Sequence, residues 1–294
     1  MAQIIVEICQ NHNGDRELLK RMIHTAKENG ADAVKGQIIF SNDLAPRERF
    51  DEGLEEANGV KKTIKRPYLV EYERMKSLDL EEADYKFFVE ECNQIGVTPM
   101  LTVFSRNRIP LAASLPYKGE RTVKVASYDC GSHQMISELA EKFDHVIIST
   151  GASSDEEIKK TAELLKSKNK KLTFLHCVTS YPNTMAMANL ARLEWLRQFT
   201  PSVGWSDHSL ISRDGIKMAK AAMMLGADYV ERHFTVLPAD KTKDGPVSIN
   251  PAQLKELSSF AKLSQEEQKS IVAKEIPDWQ TMVGLAERDM THTE

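Results

Sequence analysis

Short apolar, β-branched runs alternate with longer stretches whose apolar residues recur every three or four positions, and this rhythm holds along nearly the whole chain. The runs predict strands over 4–9, 33–39, 98–104, 122–127, 145–150, 171–178, 202–208 and 228–234. The periodic stretches predict helices over 16–28, 81–94, 110–115, 132–142, 155–168, 186–199 and 213–225, and one more over 251–273. Eight strand–helix units in series are the pattern of parallel strands joined by helical crossovers. An open, doubly wound sheet shares the alternation, but the count of eight favours closure. The expectation is α/β, a single-domain (β/α)8 TIM barrel over residues 1–276, followed by a C-terminal extension over 277–294 that reads as irregular surface chain.

Two helix-to-strand joints are nearly identical, Asn29-Gly30-Ala31-Asp32 and Leu225-Gly226-Ala227-Asp228. In each, glycine suits the left-handed residue that ends a helix, so the joints are read as punctuation. The segment from Ser41 to about Asp79 interrupts the rhythm and carries Arg47, Arg49, Lys61, Lys62, Lys65 and Arg66. A connection this long is either a solvated excursion or a lid over a site.

Composition narrows the partners. A net charge of −4 and a pI near 6.1 show no basic bias, which argues against nucleic acid or an anionic membrane as the main partner. No apolar run approaches the length of a membrane span, and the N-terminus lacks the pattern of a signal peptide. Cys9, Cys92, Cys130 and Cys177 are widely spaced and form no CxxC, so reduced thiols and a cytoplasmic location are expected.

In a barrel, functional residues gather at the C-terminal ends of the strands, and inward positions alternate. Applied here, that rule puts Glu7 on the first strand, Lys35 and Gln37 on the second, Lys124 and Ser127 on the fourth, and Ser149 at the end of the fifth. It puts Ser206 and His208 on one face of the seventh strand, and Glu231 and His233 on one face of the eighth. Lone buried charges are costly, so polar groups converging from this many strands read as a site, whereas a single strand histidine such as His176 reads as a satisfied core residue. His208 and His233 end neighbouring strands about 4.8 Å apart, where they form either a divalent-metal site or a hydrogen-bonded pair. The lysines and serines suit a phosphate or carboxylate, and Glu7 could orient or deprotonate a hydroxyl. The residues by themselves describe a metal-assisted enzyme for an anionic small molecule.

The opening Glu7-Ile8-Cys9-Gln10-Asn11-His12-Asn13-Gly14-Asp15 resembles the EIGxNHNGD motif of the sialic acid (N-acetylneuraminate) synthase family. Further blocks are similar and fall in the same order: Lys35-Gly36-Gln37, Lys124-Val125-Ala126-Ser127, Ser149-Thr150-Gly151, Tyr181-Pro182, Gly204-Trp205-Ser206-Asp207-His208-Ser209 and Glu231-Arg232-His233-Phe234. The resemblance implies condensation of phosphoenolpyruvate with an N-acyl hexosamine, giving a nine-carbon 2-keto sugar acid and phosphate. It implies a divalent metal held by His208 and His233, with Mn2+ foremost and Mg2+ or Co2+ as alternatives. It places Lys35, Thr102, Lys124, Ser127, Ser149 and Ser206 on phosphoenolpyruvate, and Glu7, Gln37 and Tyr181 towards the sugar. Thr179 and Asp207 join the substrate-binding set, and Asp129 joins Glu7, Lys35 and Lys124 in the catalytic set. The implied chemistry is attack of the enol carbon on the open-chain sugar aldehyde, addition of water at C2 and loss of phosphate, with the metal as Lewis acid. A Schiff base on Lys35 or Lys124 is the mechanistic rival, and would show borohydride trapping without a metal requirement.

Three departures concern the acceptor side. Many members continue into an antifreeze-like domain that sends an arginine into the neighbouring subunit of a homodimer. This sequence ends at Glu294 without one, so that contact is expected to be missing, replaced from the barrel by the basic 41–79 segment, or provided by another chain. The family's GSGE reads Ala126-Ser127-Tyr128-Asp129, and its GPD reads Gly245-Pro246-Val247, with Asp240 or Asp244 as possible substitutes for the lost aspartate. Two other readings remain: a phosphoenolpyruvate-dependent synthase for a different aldose or a sugar phosphate, and a non-catalytic sugar-acid-binding barrel.

Overall fold

A computed structural model describes residues 1–55, 61–63 and 65–286. Eight parallel strands close into a barrel: β1 (Gln3–Glu7), β2 (Ala33–Ile38), β3 (Thr98–Val103), β4 (Thr122–Val125), β5 (His145–Ser149), β6 (Lys171–Cys177), β7 (Ser202–Asp207) and β8 (Tyr229–His233). Neighbours in the barrel are neighbours in sequence, and β8 closes on β1 with Glu7 opposite His233. This is the expected TIM barrel. Each strand stops one or two residues short of its expected end, where the chain turns into the loops at the mouth.

The helices follow from local chemistry. The first, α1 (Arg16–Glu28), starts where the Asp15 carboxylate accepts hydrogen bonds from the backbone N–H groups of Glu17 and Leu18, and it buries Leu19, Met22, Ile23 and Ala26. Gly30 and Gly226 take φ of +94° and +90°, the left-handed geometry expected at the twin joints. The aspartates that follow do the same work at both places. Asp32 accepts from the Ile4 N–H at 2.8 Å and Asp228 from the Val203 N–H at 3.0 Å, each pinning the start of a neighbouring strand.

Three long helical expectations are interrupted. The stretch 186–199 is α-helical only over Arg192–Arg197, after a 3-10 turn at Met185–Met187. The 213–225 helix divides at Gly215, whose φ of +57° ends one short helix before Lys217–Met224 begins. The last stretch splits into Pro251–Ala261 and Gln265–Glu275, because Ser264 and Glu267 form a capping box that starts a new helix. Apolar periodicity is blind to a cap that interrupts it.

The segment 41–79 is structured, with helices Glu48–Glu52 and Tyr68–Lys76 and a small antiparallel ribbon of Leu54–Glu55 with Lys61–Thr63. The chain after Pro277 is docked rather than loose as far as it is described. Met282 is fully buried, its carbonyl accepts from the Leu190 N–H at 2.7 Å, and the Ala286 carbonyl accepts from Arg192. Residues 287–294 of the expected extension lie outside the described residues. No helix among the described residues is long and apolar enough to cross a membrane.

Inside the barrel, Ile5, Ala33, Met100, Ile147 and Leu175 pack into an apolar floor with Tyr229 beside them. The outer faces of the strands meet the helices in the main core. The floor decides the site, because inward residues one step nearer the mouth have a dry base beneath them and solvent only above.

Candidate active site

Alternation along each strand lifts the next inward residues above this floor, and these are the polar ones. Lys35 on β2 is 4% exposed; its ammonium is in direct ion contact with Glu7 on β1, lies 3.6 Å from Glu231 on β8, and donates to Thr102 Oγ1 at 3.1 Å. Lys124 on β4 donates to Ser149 Oγ at 2.6 Å and to the Val125 carbonyl at 3.0 Å. Gln37 donates to Glu7 Oε1 at 3.2 Å, and Ser206 donates to Glu231 Oε1 at 2.9 Å. Two buried ammonium groups and two buried carboxylates thus share one cup.

Their electrostatics are mutually dependent. Burial brings Lys35 down to about 8, with Glu231 opposing the shift and Lys124 adding to it. Burial would raise Glu231, but Lys35 and Lys124 outweigh it and hold the carboxyl well below the usual range. Lys35 therefore stays mostly protonated at neutral pH, at the base of a mouth suited to anions.

The two histidines meet on the far side of the cup, with ring centroids 5.5 Å apart. His208 Nδ1 donates to the Val178 carbonyl at 3.0 Å, which leaves Nε2 as the acceptor for the Tyr181 hydroxyl at 2.8 Å. Burial, and His233 next to it, take His208 down to about 3, and burial also lowers His233. Both rings are neutral at physiological pH, the form that binds metal. His233 Nδ1 is buried without a hydrogen-bond partner and lies 3.8 Å from Asp244 Oδ2. Ligand atoms of Cys9, His233 and Asp244 all lie within 4.8 Å of one another. An orphaned imidazole nitrogen facing a carboxylate and a thiol fits a divalent ion.

The other expected residues lie outside the lysine cup. Asp207, expected to bind substrate, points out of the barrel. It is fully buried, ion-paired to Arg232 at 2.5 Å, and accepts from the Ser209 N–H. The parity that turns Ser206 and His208 inward turns Asp207 outward. Asp129 sits apart from the lysines, on an open cavity of about 910 Å³ that it shares with Arg47, Phe50, Arg66, Tyr128 and Glu71. There burial raises its carboxyl to about 6. Ser127 is half-buried on the turn between β4 and Asp129, where its carbonyl accepts from Ser153. Thr179 follows β6 with its hydroxyl buried and unpartnered, and Tyr181 stacks on His208 at 4.0 Å with its ring about half exposed.

The 41–79 segment covers this cavity, which favours the lid over the solvated excursion. Of its basic residues, Arg47 and Arg66 line the cavity and Lys65 is exposed; the side chains of Arg49, Lys61 and Lys62 lie outside the described residues. Asp244 reaches the site, whereas Asp240 is 73% exposed beside Lys241. His176 is a core residue, donating to the Ala188 carbonyl at 2.7 Å against Trp205.

Reading the sequence missed Cys9 as a member of the site. The available signal was a cysteine where the resembled motif has glycine. The motif residues that follow Cys9 include several with structural contacts. Asn11 donates to the Phe234 carbonyl and to Ser248, His12 Nδ1 accepts from the Gly14 N–H, and Asp15 caps α1.

Comparison with known proteins gives the family. The NeuB family model matches residues 22–271. The chain belongs to the NeuB family. It is 31% identical over 297 residues to N,N'-diacetyllegionaminic acid synthase of Legionella pneumophila, a match covering 99% of this chain and 76% of that protein. It is 29% identical to N-acetylneuraminate-9-phosphate synthase of Mus musculus, over 88% of this chain and 69% of the relative. Among solved structures, the sialic acid synthetase of Leptospira borgpetersenii in complex with citrate superposes with a TM-score of 0.75 at 24% identity, covering 94% of this chain and 93% of that one. This NeuB protein is therefore an enzyme of the synthase class to which its named relatives belong.

Proposed function

We propose that this NeuB protein condenses phosphoenolpyruvate with an N-acyl hexosamine, giving a nine-carbon 2-keto sugar acid and phosphate. The observation that carries the reading is the pair of buried lysines, Lys35 and Lys124, set over a dry floor with Thr102 and Ser149 beside them. Two ammonium groups and hydroxyl donors suit a small molecule bearing both a phosphate and a carboxylate.

The chain's own residues then act as follows. An arriving anion draws Lys35 away from Glu7, which frees that carboxylate to orient or deprotonate a water or sugar hydroxyl. Lys124 and Ser149 hold the other anionic end, and charge that builds up on phosphate as it leaves is met by ammonium groups already in place. His208 and His233, neutral and buried, would hold a divalent ion, Mn2+ by family resemblance, which would supply Lewis acidity toward the sugar aldehyde. The cavity beneath Arg47 and Arg66 offers room for the far end of the acceptor, with Asp129 on its wall.

Those two arginines favour a second reading, in which the acceptor is a phosphorylated sugar. Phosphate release measured with a panel of N-acyl hexosamines, their phosphates and plain aldoses, with and without Mn2+, separates the two. Turnover with no N-acyl hexosamine overturns the first reading. Phosphoenolpyruvate consumption that survives in His233→Ala overturns the metal assignment.

A further inference from the structure

Cys9 lies just beyond β1 with φ of +45°, a left-handed conformation that residues with a side chain adopt only at an energetic cost. Glycine, the residue of the resembled motif at this position, takes it freely. Here the strained position carries a thiol that is 2% exposed and lies within 4.8 Å of both the Asp244 carboxylate and a His233 ring nitrogen. The strain therefore coincides with a side chain directed at a carboxylate and at the unpartnered nitrogen of His233.

The loop bearing Asp244 is built to stay in place. The Asp244 carbonyl accepts from Ser248 Oγ at 2.7 Å and from the Val247 N–H at 3.1 Å, while Arg232 donates to the Val247 carbonyl at 3.2 Å. At Gly245 even a Cβ would come within 2.0 Å of the Ala239 carbonyl oxygen, so the turn is packed against its neighbour. The three ligand atoms, within 4.8 Å of one another, need only a small contraction to reach the roughly 3.5 Å edges of a tetrahedral site with bonds of about 2.0–2.3 Å.

We propose that Cys9 and Asp244 join His233 as ligands of the divalent ion, Cys9 as a thiolate, and that this mixed sulfur, nitrogen and oxygen set prefers Co2+ or Zn2+ to Mg2+. The proposal rests on the metal-dependent reading above and changes its ligand set. A thiolate is a soft donor that Mg2+ accepts poorly, whereas Co2+ and Zn2+ bind it strongly. His208 borders the group, its Nε2 occupied by the Tyr181 hydroxyl.

The test uses the full chain as wild type, Cys9→Gly and Cys9→Ser, stripped with a chelator and titrated with Co2+, Zn2+ and Mg2+. The wild type should develop a near-ultraviolet thiolate-to-cobalt charge-transfer band that both variants lack. Affinity for Co2+ and Zn2+ should fall in the variants by at least the ~10–100-fold that loss of even an outer-sphere partner causes. Affinity for Mg2+ should barely change. Alkylation of Cys9 should slow when Zn2+ is bound. Because glycine relieves the strained φ, Cys9→Gly should melt no lower than wild type, which separates loss of a ligand from loss of the fold. A wild-type Co2+ complex without the charge-transfer band, or variants that bind Co2+ as tightly as wild type, overturns the proposal. Metal-dependent phosphate release from phosphoenolpyruvate, measured on the same preparations, shows independently whether the synthase reading stands.

Discussion

Replacing Lys35 by Met tests the charge balance of the cup directly. In the wild type, Lys35 touches Glu7 and lies 3.6 Å from Glu231, and all three side chains are nearly inaccessible to water. At an effective dielectric of about 20, a pair at that separation is worth roughly 4–5 kcal/mol, offset by the cost of burying the lysine. The two carboxylates do not suffer equally. Glu231 keeps the Ser206 hydrogen bond and the field of Lys124, while Glu7 keeps only the Gln37 amide. Lys35→Met therefore leaves Glu7 as a buried charge without a cation, and the expected loss is about 3–5 kcal/mol near pH 7.5. Neutralising that carboxylate should remove the penalty. Urea melts at pH 7.5 and pH 5, on wild type, Lys35→Met, Glu7→Gln and the double variant, measure the coupling. The single variant should recover part of its stability at pH 5, where the orphaned Glu7 takes up a proton, and the double variant should recover most of it at pH 7.5. A loss below about 1 kcal/mol in Lys35→Met, or a double variant no more stable than the single one, would refute the argument.

Three further outcomes follow from the same geometry. Because Lys35 is brought down to about 8, phosphoenolpyruvate should bind with little pH dependence up to about pH 7.5 and then weaken roughly tenfold per pH unit, since the anion requires the protonated amine; calorimetric titration between pH 7 and 9.5 checks this, and a flat Kd would contradict it. Asp129 has its carboxyl raised to about 6, so folding is penalised as pH climbs through the window from its ordinary value to about 6. Asp129→Asn should then gain about 1–2 kcal/mol at pH 8, after discount for partial exposure, and almost nothing at pH 4, while losing activity if Asp129 faces the acceptor. Arg232→Met leaves the Asp207 carboxylate fully buried without its cation and unties Val247 from β8; thermal melts should show a loss of about 3–5 kcal/mol, and metal affinity should fall as the Asp244 turn loosens.

Much of this could be read along the chain, for a definable reason. Strand alternation has a period of two residues and depends only on neighbours in sequence. The eight strands, the inward placement of Lys35, Lys124, Ser206, Glu231 and His233, and the twin glycine joints were therefore accessible without coordinates. The same parity was enough to turn Asp207 away from the mouth, and it was motif resemblance that assigned it to substrate; the Arg232 pair shows that the alternation was the better guide. Periodicity stops where the strands stop. Cys9 and Asp244 lie in loops at opposite ends of the sequence, and no local pattern relates them. Closure of β8 onto β1 brings both loops to His233, and the dry floor beneath makes their meeting chemically consequential. The chain's own pattern determined the barrel and the sign of its mouth. Only the closed structure decided which loop residues share it, because that depends on contacts between segments far apart in sequence.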